Sequence, residues 1–218
     1  MKDAEIRIAL KRKLSRHLRR DSQAILIDEL SVCAGEARVD IAVVNGSFHG
    51  YEIKSERDTL YRLAGQISAY NRALEKVSVV VAECHLEDVG RMVPGWWGIV
   101  LAEAGPRAIR LRPRRRARVN PEIDALSVAQ FLWRDEALRL LEDLGIDQGV
   151  RSKTAWDMLS RLAEQVPSKR MVRLVSAQIK ARGEWRVGSR HRRGGGRSRP
   201  SARSLHSRSY PILSRIDQ

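Results

Sequence analysis

Apolar residues at Ile6, Ala9, Leu10, Leu14 and Leu18 recur at helical spacing in "DAEIRIALKRKLSRHL" and predict an N-terminal helix with Asp3 as its N-cap. Three strand-like segments follow, 24–30, 37–45 and 47–55, the last two split by Asn45-Gly46, a hairpin signal. Residues 59–74 put Leu60, Leu63, Ile67 and Leu74 on one helical face, and 77–83 reads as a buried strand. "WGIVLAE" and "RAIRLRP" form a last strand pair joined through Gly105-Pro106. The order is αβββαβ and then more β, an α/β class. After the composition break "RPRRRARVNP" (112–121) the pattern turns helical, in three periodic segments broken by Gly145, Pro167 and Gly183 and opened by plausible Ser caps. The expected organisation is a core over 1–112, a helical unit over 113–185 and a disordered Arg/Gly/Ser-rich tail over 186–218.

One strand carries an unusual polar pattern. Side chains alternate along a strand, so in "GYEIKSERDTL" Glu52 and Lys54 share one face and Tyr51 and Ile53 the other. A two-residue loop would pair Val44 with Ser47 and set Asp40 on the far side from Glu52. A three-residue loop pairs Val44 with Phe48 and sets Asp40 opposite Glu52, gathering Val39, Ile41, Val43, Tyr51 and Ile53 on the other face; hydrophobic sorting favours this register. Two adjacent carboxylates then need a cation. Mg2+ or Mn2+ suits hard oxygen ligands, with Lys54 placed to hold a metal-bound water or stabilise charge on phosphorus, which points to phosphodiester hydrolysis. The bland alternative is an exposed ion pair of little energetic worth. Gln66 and Tyr70, spaced i, i+4, share a helical face that can reach the same place.

The run from Arg38 to Glu83, with its Asp, its Glu-x-Lys and its Gln-x-x-x-Tyr, resembles the core of the PD-(D/E)XK nuclease superfamily. "HGYEIKSERDTLYRL", "QISAYN", "VPGWWGIV" and "FLWRDEALRLLEDLG" resemble a small bacterial family within it, over roughly residues 5–182. The resemblance implies a restriction-endonuclease-like core with a mixed sheet. It implies catalytic roles for Asp40, Glu52, Lys54, Gln66 and Tyr70, and metal ligation by Asp40 and Glu52, with Glu29, backed by Glu5, as a further acid. Val39 stands where the motif has proline. The implied function is a Mg2+- or Mn2+-dependent deoxyribonuclease acting in repair, recombination or defence; the alternative is a non-catalytic nucleic-acid-binding protein retaining the fold.

Charge supports a polyanionic partner. The 218 residues carry a net charge of +15 with a pI near 10.8, which favours nucleic acid; with the resemblance the expected partner is DNA, and RNA stays open. Nine Arg and the single acidic Asp217 lie from residue 186 onward, and Arg192, Arg193, Arg197 and Arg199 are the expected contacts of a nucleic-acid-binding arm. Cys33 and Cys84 make neither a metal pair nor a disulfide framework, so both are expected to pack as small hydrophobes in a reducing compartment. No uninterrupted apolar run suggests a leader or a membrane span, so the expected location is cytoplasmic. His17, His49 and His85 lack metal-ligand spacing, the Trp pair of "PGWWG" reads as a core anchor, and Phe131, Trp133 and Trp156 read as packing. The tail's "GGG" follows no strand, which excludes a phosphate loop. A homodimer or an unseen partner chain stays open.

Overall fold

The computed structural model describes residues 1–19 and 23–182. Their six-stranded mixed sheet runs in sequence order: β1 (Ile25–Val32), β2 (Ala37–Val44), β3 (Phe48–Lys54), β4 (Lys76–Ala82), β5 (Gly98–Glu103) and β6 (Arg110–Arg115). The pairs β1–β2, β2–β3 and β5–β6 are antiparallel; β3–β4 and β4–β5 are parallel. Parallel neighbours require crossovers, supplied by α2 (Leu63–Ala73) and α3 (Leu86–Met92), while α1 (Asp3–Leu18) precedes the sheet. The α/β class and the αβββαβ order agree with the sequence pattern. Four helices follow: α4 (Ala125–Ala129), α5 (Arg134–Asp143), α6 (Ala155–Gln165) and α7 (Ser168–Ala181). Among the described residues no helix is long and apolar enough to cross a membrane.

The sheet buries both faces. Ile6, Leu10 and Leu14 of α1 pack on Ile41, Val43, Ile53 and Val80. The other face joins Phe48, Leu74, Val79 and Val81 to Tyr70 of α2 and continues into Leu140, Met158, Leu162 and Val175 of the later helices. Phe48 stacks on Phe131 at 4.9 Å between ring centroids. Trp97 is fully buried and donates from Nε1 to Asn71 Oδ1 at 2.9 Å, the anchoring role expected of "PGWWG". Buried Asn120 donates through Nδ2 to the Leu74 carbonyl at 2.9 Å, satisfying an orphan acceptor at the end of α2.

Local chemistry moves several boundaries. Asp3 is the first helical residue rather than the cap, and the N-cap Lys2 backbone N–H is taken by Glu5 Oε2 at 2.7 Å. The helix expected from residue 59 starts at Leu63, because Asp58 accepts from both Ser55 N (2.7 Å) and Ser55 Oγ (2.6 Å) and holds a turn ahead of it. The segment 124–145 is two helices, split where Glu136 Oε2 accepts the Trp133 N–H at 2.8 Å and opens α5. Thr154, with Asp157, caps α6 where a serine was expected. The helix α3 went unforeseen, its seven residues being too short for a periodic signal. Cys33 is buried as expected, but Cys84 is exposed.

The hairpin register is the three-residue one, with Val44 opposite Phe48 and Ile41 opposite Tyr51. The face sorting differs at one point. Val39 is buried with Phe48 and Leu74, not with Ile41, so the alternation of β2 reverses at Asp40. In β1 it reverses at Glu29, between Ile27 and Leu30, which both face the larger core. Register is kept on either side, Asp28 facing Ile41 and Leu30 facing Val39. Glu29 has a φ of 54°, in the left-handed region, a conformation that costs a non-glycine residue about 1–3 kcal/mol.

Gly98 allows another close approach. A Cβ there would lie 2.6 Å from Ser78 Oγ and 2.9 Å from the Ala117 backbone nitrogen, so the segment after β6 crosses the sheet where a methyl group cannot fit. Gly98→Ala is expected to cost about 1–3 kcal/mol in urea unfolding, whereas an unchanged midpoint would show that the segment after β6 shifts freely.

Candidate functional site

A short buried network lies at the ends of β2 and β3. Glu52 and Lys54 are 3% and 4% exposed, so the bland reading of a solvent-facing pair fails. Lys54 Nζ donates to Glu52 Oε1 at 2.8 Å and to Gln66 Oε1 at 2.9 Å. Gln66 Nε2 donates to Glu52 Oε1 at 2.6 Å, and the Tyr70 hydroxyl donates to Glu52 Oε2 at 2.7 Å while lying 2.8 Å from the Arg38 carbonyl oxygen. Burial, then the negative charge of Glu52, pushes the Tyr70 phenol far above its ordinary range, so its proton stays in place. Strand alternation aims Glu52 and Lys54 at α2, and the i, i+4 spacing of Gln66 and Tyr70 meets them.

Asp40 is held differently. Its Oδ2 accepts the Ile53 backbone N–H at 2.7 Å, taking the place of a ladder bond where β2 parts from β3. Its Oδ1 accepts from Arg7 Nη2 at 2.7 Å, and Arg7 Nη1 reaches the Asp40 carbonyl at 3.1 Å. Arg7 also pairs with Glu29 at 3.0 Å and Asp3 at 3.2 Å. Burial works against the Arg7 charge, but Asp40 and Asp3 outweigh it and raise the guanidinium above its ordinary value. Burial, then Glu52, raises Asp40 to about 6 despite Ile53 and Arg7.

The structure therefore gathers Asp40, Glu52, Lys54, Gln66 and Tyr70 as expected, and connects Glu29 to them through Arg7, while Glu5 stays exposed at the start of α1. Arg7 was missed; its signal is a cation beside the apolar stripe of α1, four residues after Asp3. All four carboxylate oxygens of Asp40 and Glu52 already accept protein donors, with Arg7 and Lys54 supplying the positive charge beside them. Among the described residues no group of three His, Cys, Asp or Glu side chains gathers to hold a metal. The arrangement neutralises buried charge and pins two strands.

A second feature is the basic surface where α1 meets β6, joined by Lys13 Nζ donating to the Leu111 carbonyl at 3.3 Å. Arg12 and Arg16 of α1 and Arg110, Arg116 and Arg118 in and beyond β6 are exposed. Glu103 pairs with Arg112 and Arg114, at 2.8 and 3.7 Å; among the described residues no carboxylate pairs with those other five. Burial, then the nearby charge of Arg118, lowers the Arg115 guanidinium from its ordinary value. The expected contacts Arg192, Arg193, Arg197 and Arg199 lie outside the described residues.

Removing one partner of the buried pair tests the network. Lys54→Met leaves Glu52 buried without its cation and is expected to cost about 3–5 kcal/mol in urea unfolding, and Tyr70→Phe about 1–3 kcal/mol. The Asp40 carboxyl has a folded pKa of about 6, above the ~3.9 of an unfolded chain. Its contribution to stability is therefore full below pH ~4 and is lost as pH rises through ~6. Asp40→Asn should become less destabilising relative to the parent across that window; a difference constant with pH would show that Asp40 titrates normally.

Comparison with known proteins replaces the expected family. A model described as bacteriophage P4 protein cII matches residues 1–191. Protein cII of Enterobacteria phage P4 is 30% identical over 161 residues, 74% of this chain and 60% of that protein, so the chain spans about 60% of the length of the curated relative it matches. No solved structure matches the chain. These matches overturn the expected membership of the PD-(D/E)XK nucleases, and with it the expected DNA-hydrolysing function and deoxyribonuclease activity. By the family model's match over residues 1–191, the chain belongs to the bacteriophage P4 protein cII family.

Proposed function

We propose that this chain is a nucleic-acid-binding protein, with DNA as its partner, that works by binding and not by cutting. The observation that carries the reading is the set of exposed arginines of α1 and the segment after β6, where Arg12, Arg16, Arg116 and Arg118 have no acidic partner among the described residues. Crowded cations without acids raise the free energy of the unbound protein, and a phosphate backbone relieves that repulsion while releasing its own counterions. The total charge of +15 acts in the same direction at longer range. The buried network serves this function indirectly, because Arg7 ties α1 to β2 and so helps hold one half of the basic surface.

The test is fluorescence anisotropy of a labelled duplex against salt, for the parent, for Arg116→Glu/Arg118→Glu, and for a chain ending at residue 182. Each neutralised phosphate contributes about −0.9 to the log–log slope. The double reversal is expected to weaken binding by about tenfold or more and to flatten the slope by about 1–2. The shortened chain measures what Arg192, Arg193, Arg197 and Arg199 add. Parent and double variant binding alike, with the same slope, would remove the basic surface from the function.

A further inference from the structure

On the α1 side of the sheet lies a cleft of about 410 Å3, within the range of small-ligand sites. Four cations line it, Lys13, Lys76, Arg115 and Arg116, and among the described residues no carboxylate does. Two rings, His49 and Tyr51, also line it, stacked with centroids 4.3 Å apart and planes 25° apart. They are tied together: the Tyr51 hydroxyl lies 3.2 Å from His49 Nδ1, and His49 Nε2 lies 2.9 Å from Ser78 Oγ. Burial, then Lys76, pushes His49 down to about 4, so the ring is neutral at neutral pH and the positive charge of the cleft comes from Lys and Arg. Arg115 is fixed in place by donating to the Trp97 carbonyl at 2.7 Å and the Pro94 carbonyl at 3.0 Å.

We infer that this cleft binds a single nucleotide, its base against the Tyr51–His49 pair and its phosphate among Lys13, Lys76, Arg115 and Arg116. The chemistry selects that class. Inorganic phosphate would leave the rings and most of the volume unused, the Asp and Glu side chains of an acidic peptide offer no flat ring to stack, and a neutral aromatic would leave four cations without a counter-charge. Asn45 and Ser47, on the hairpin loop at the rim, supply hydrogen-bonding groups for a base edge. Gly98 contributes to the site, since the space above it lets the Ala117 backbone come close and brings Arg116 to the cleft wall. The nucleotide has two sources, a free nucleotide or an unpaired residue of a DNA strand. The second rests on the DNA-binding reading and gives its basic surface a place for one extruded or terminal base.

Calorimetry with deoxyadenosine monophosphate, inorganic phosphate and deoxyadenosine tests the site in the full chain, with an unlabelled single-stranded oligonucleotide as competitor and duplex anisotropy in parallel. The monophosphate is expected to bind about tenfold or more tighter than either fragment. Tyr51→Leu should cost about tenfold for the monophosphate and leave phosphate unchanged. Lys76→Gln/Arg116→Gln, which leaves the rings alone and carries the test if Tyr51→Leu folds poorly, should weaken monophosphate and phosphate together. The oligonucleotide displacing the monophosphate identifies a strand as the source; failing to displace it identifies the free nucleotide. A monophosphate no tighter than phosphate, or both variants binding it like the parent, overturns the inference. If salt-dependent duplex binding persists in that case, the DNA-binding reading stands without the cleft; if the monophosphate binds and the duplex does not, that reading falls and the free-nucleotide site remains.

Discussion

Everything at the centre of this molecule depends on how one buried carboxylate is neutralised. Glu52 is only 3% exposed, covered by Gln66 and Tyr70 of α2, so its charge cannot reach water and must be met where it stands. A lone ammonium would not suffice, because the desolvation cost of two buried ions is repaid only when their remaining lone pairs and protons are also satisfied. Lys54 provides the charge, and Gln66 and Tyr70 provide the rest. Those two come from α2, which fixes the rotation of that helix over the sheet. The fit of Leu74 against Gly50 and Val39 follows from that placement.

The second constraint is the break in strand alternation at Glu29 and Asp40. Both strands reverse their faces at one level, which turns two carboxylates away from the regular pleat and leaves one residue in the left-handed region. Such a conformation persists only where its surroundings over-determine it. Arg7 does so, bridging Glu29, Asp40 and the Asp40 carbonyl from α1. The same guanidinium is a covalently supplied cation at the place where paired acids would otherwise repel, and it fixes α1 on the face that carries the surface arginines.

Much of this was legible in the sequence, because it follows from period and local chemistry. Alternation placed Glu52 and Lys54 together, hydrophobic sorting chose the register with Val44 opposite Phe48, and helical spacing brought Gln66 and Tyr70 to the same point. What was illegible depended on tertiary partners. Val39 changes face because both strands reverse together, which no single-strand periodicity reports. Arg7 becomes the partner of Asp40 only once α1 lies across β2, and the helix over 124–145 divides because a glutamate side chain caps a tryptophan backbone. His49 reads as an ordinary histidine along the chain; its place beside Tyr51 and among four cations comes from α1, β3, β4 and the end of β6 together. The mistaken step was from geometry to chemistry. The five expected side chains do converge, but a convergent set of polar side chains names neither a family nor an activity, and the family match overturned both.

Saturation by protein donors separates the two charged regions of the protein. Around Glu52 and Asp40 every carboxylate oxygen has a protein donor, so the interior offers a ligand little that is not already bound. Across α1 and β6 the balance is reversed: burial and then the charge of Arg118 work against the Arg115 guanidinium, and acids that could relieve the cations are scarce among the described residues. Unrelieved surface charge gains more from a polyanion than a saturated network gains from a metal, because the first gives up repulsion on binding and the second must give up formed hydrogen bonds. The electrostatics therefore favour partners that dock on the outside of the sheet, on the α1 side, and they favour them whether the anion is a backbone or a single phosphate.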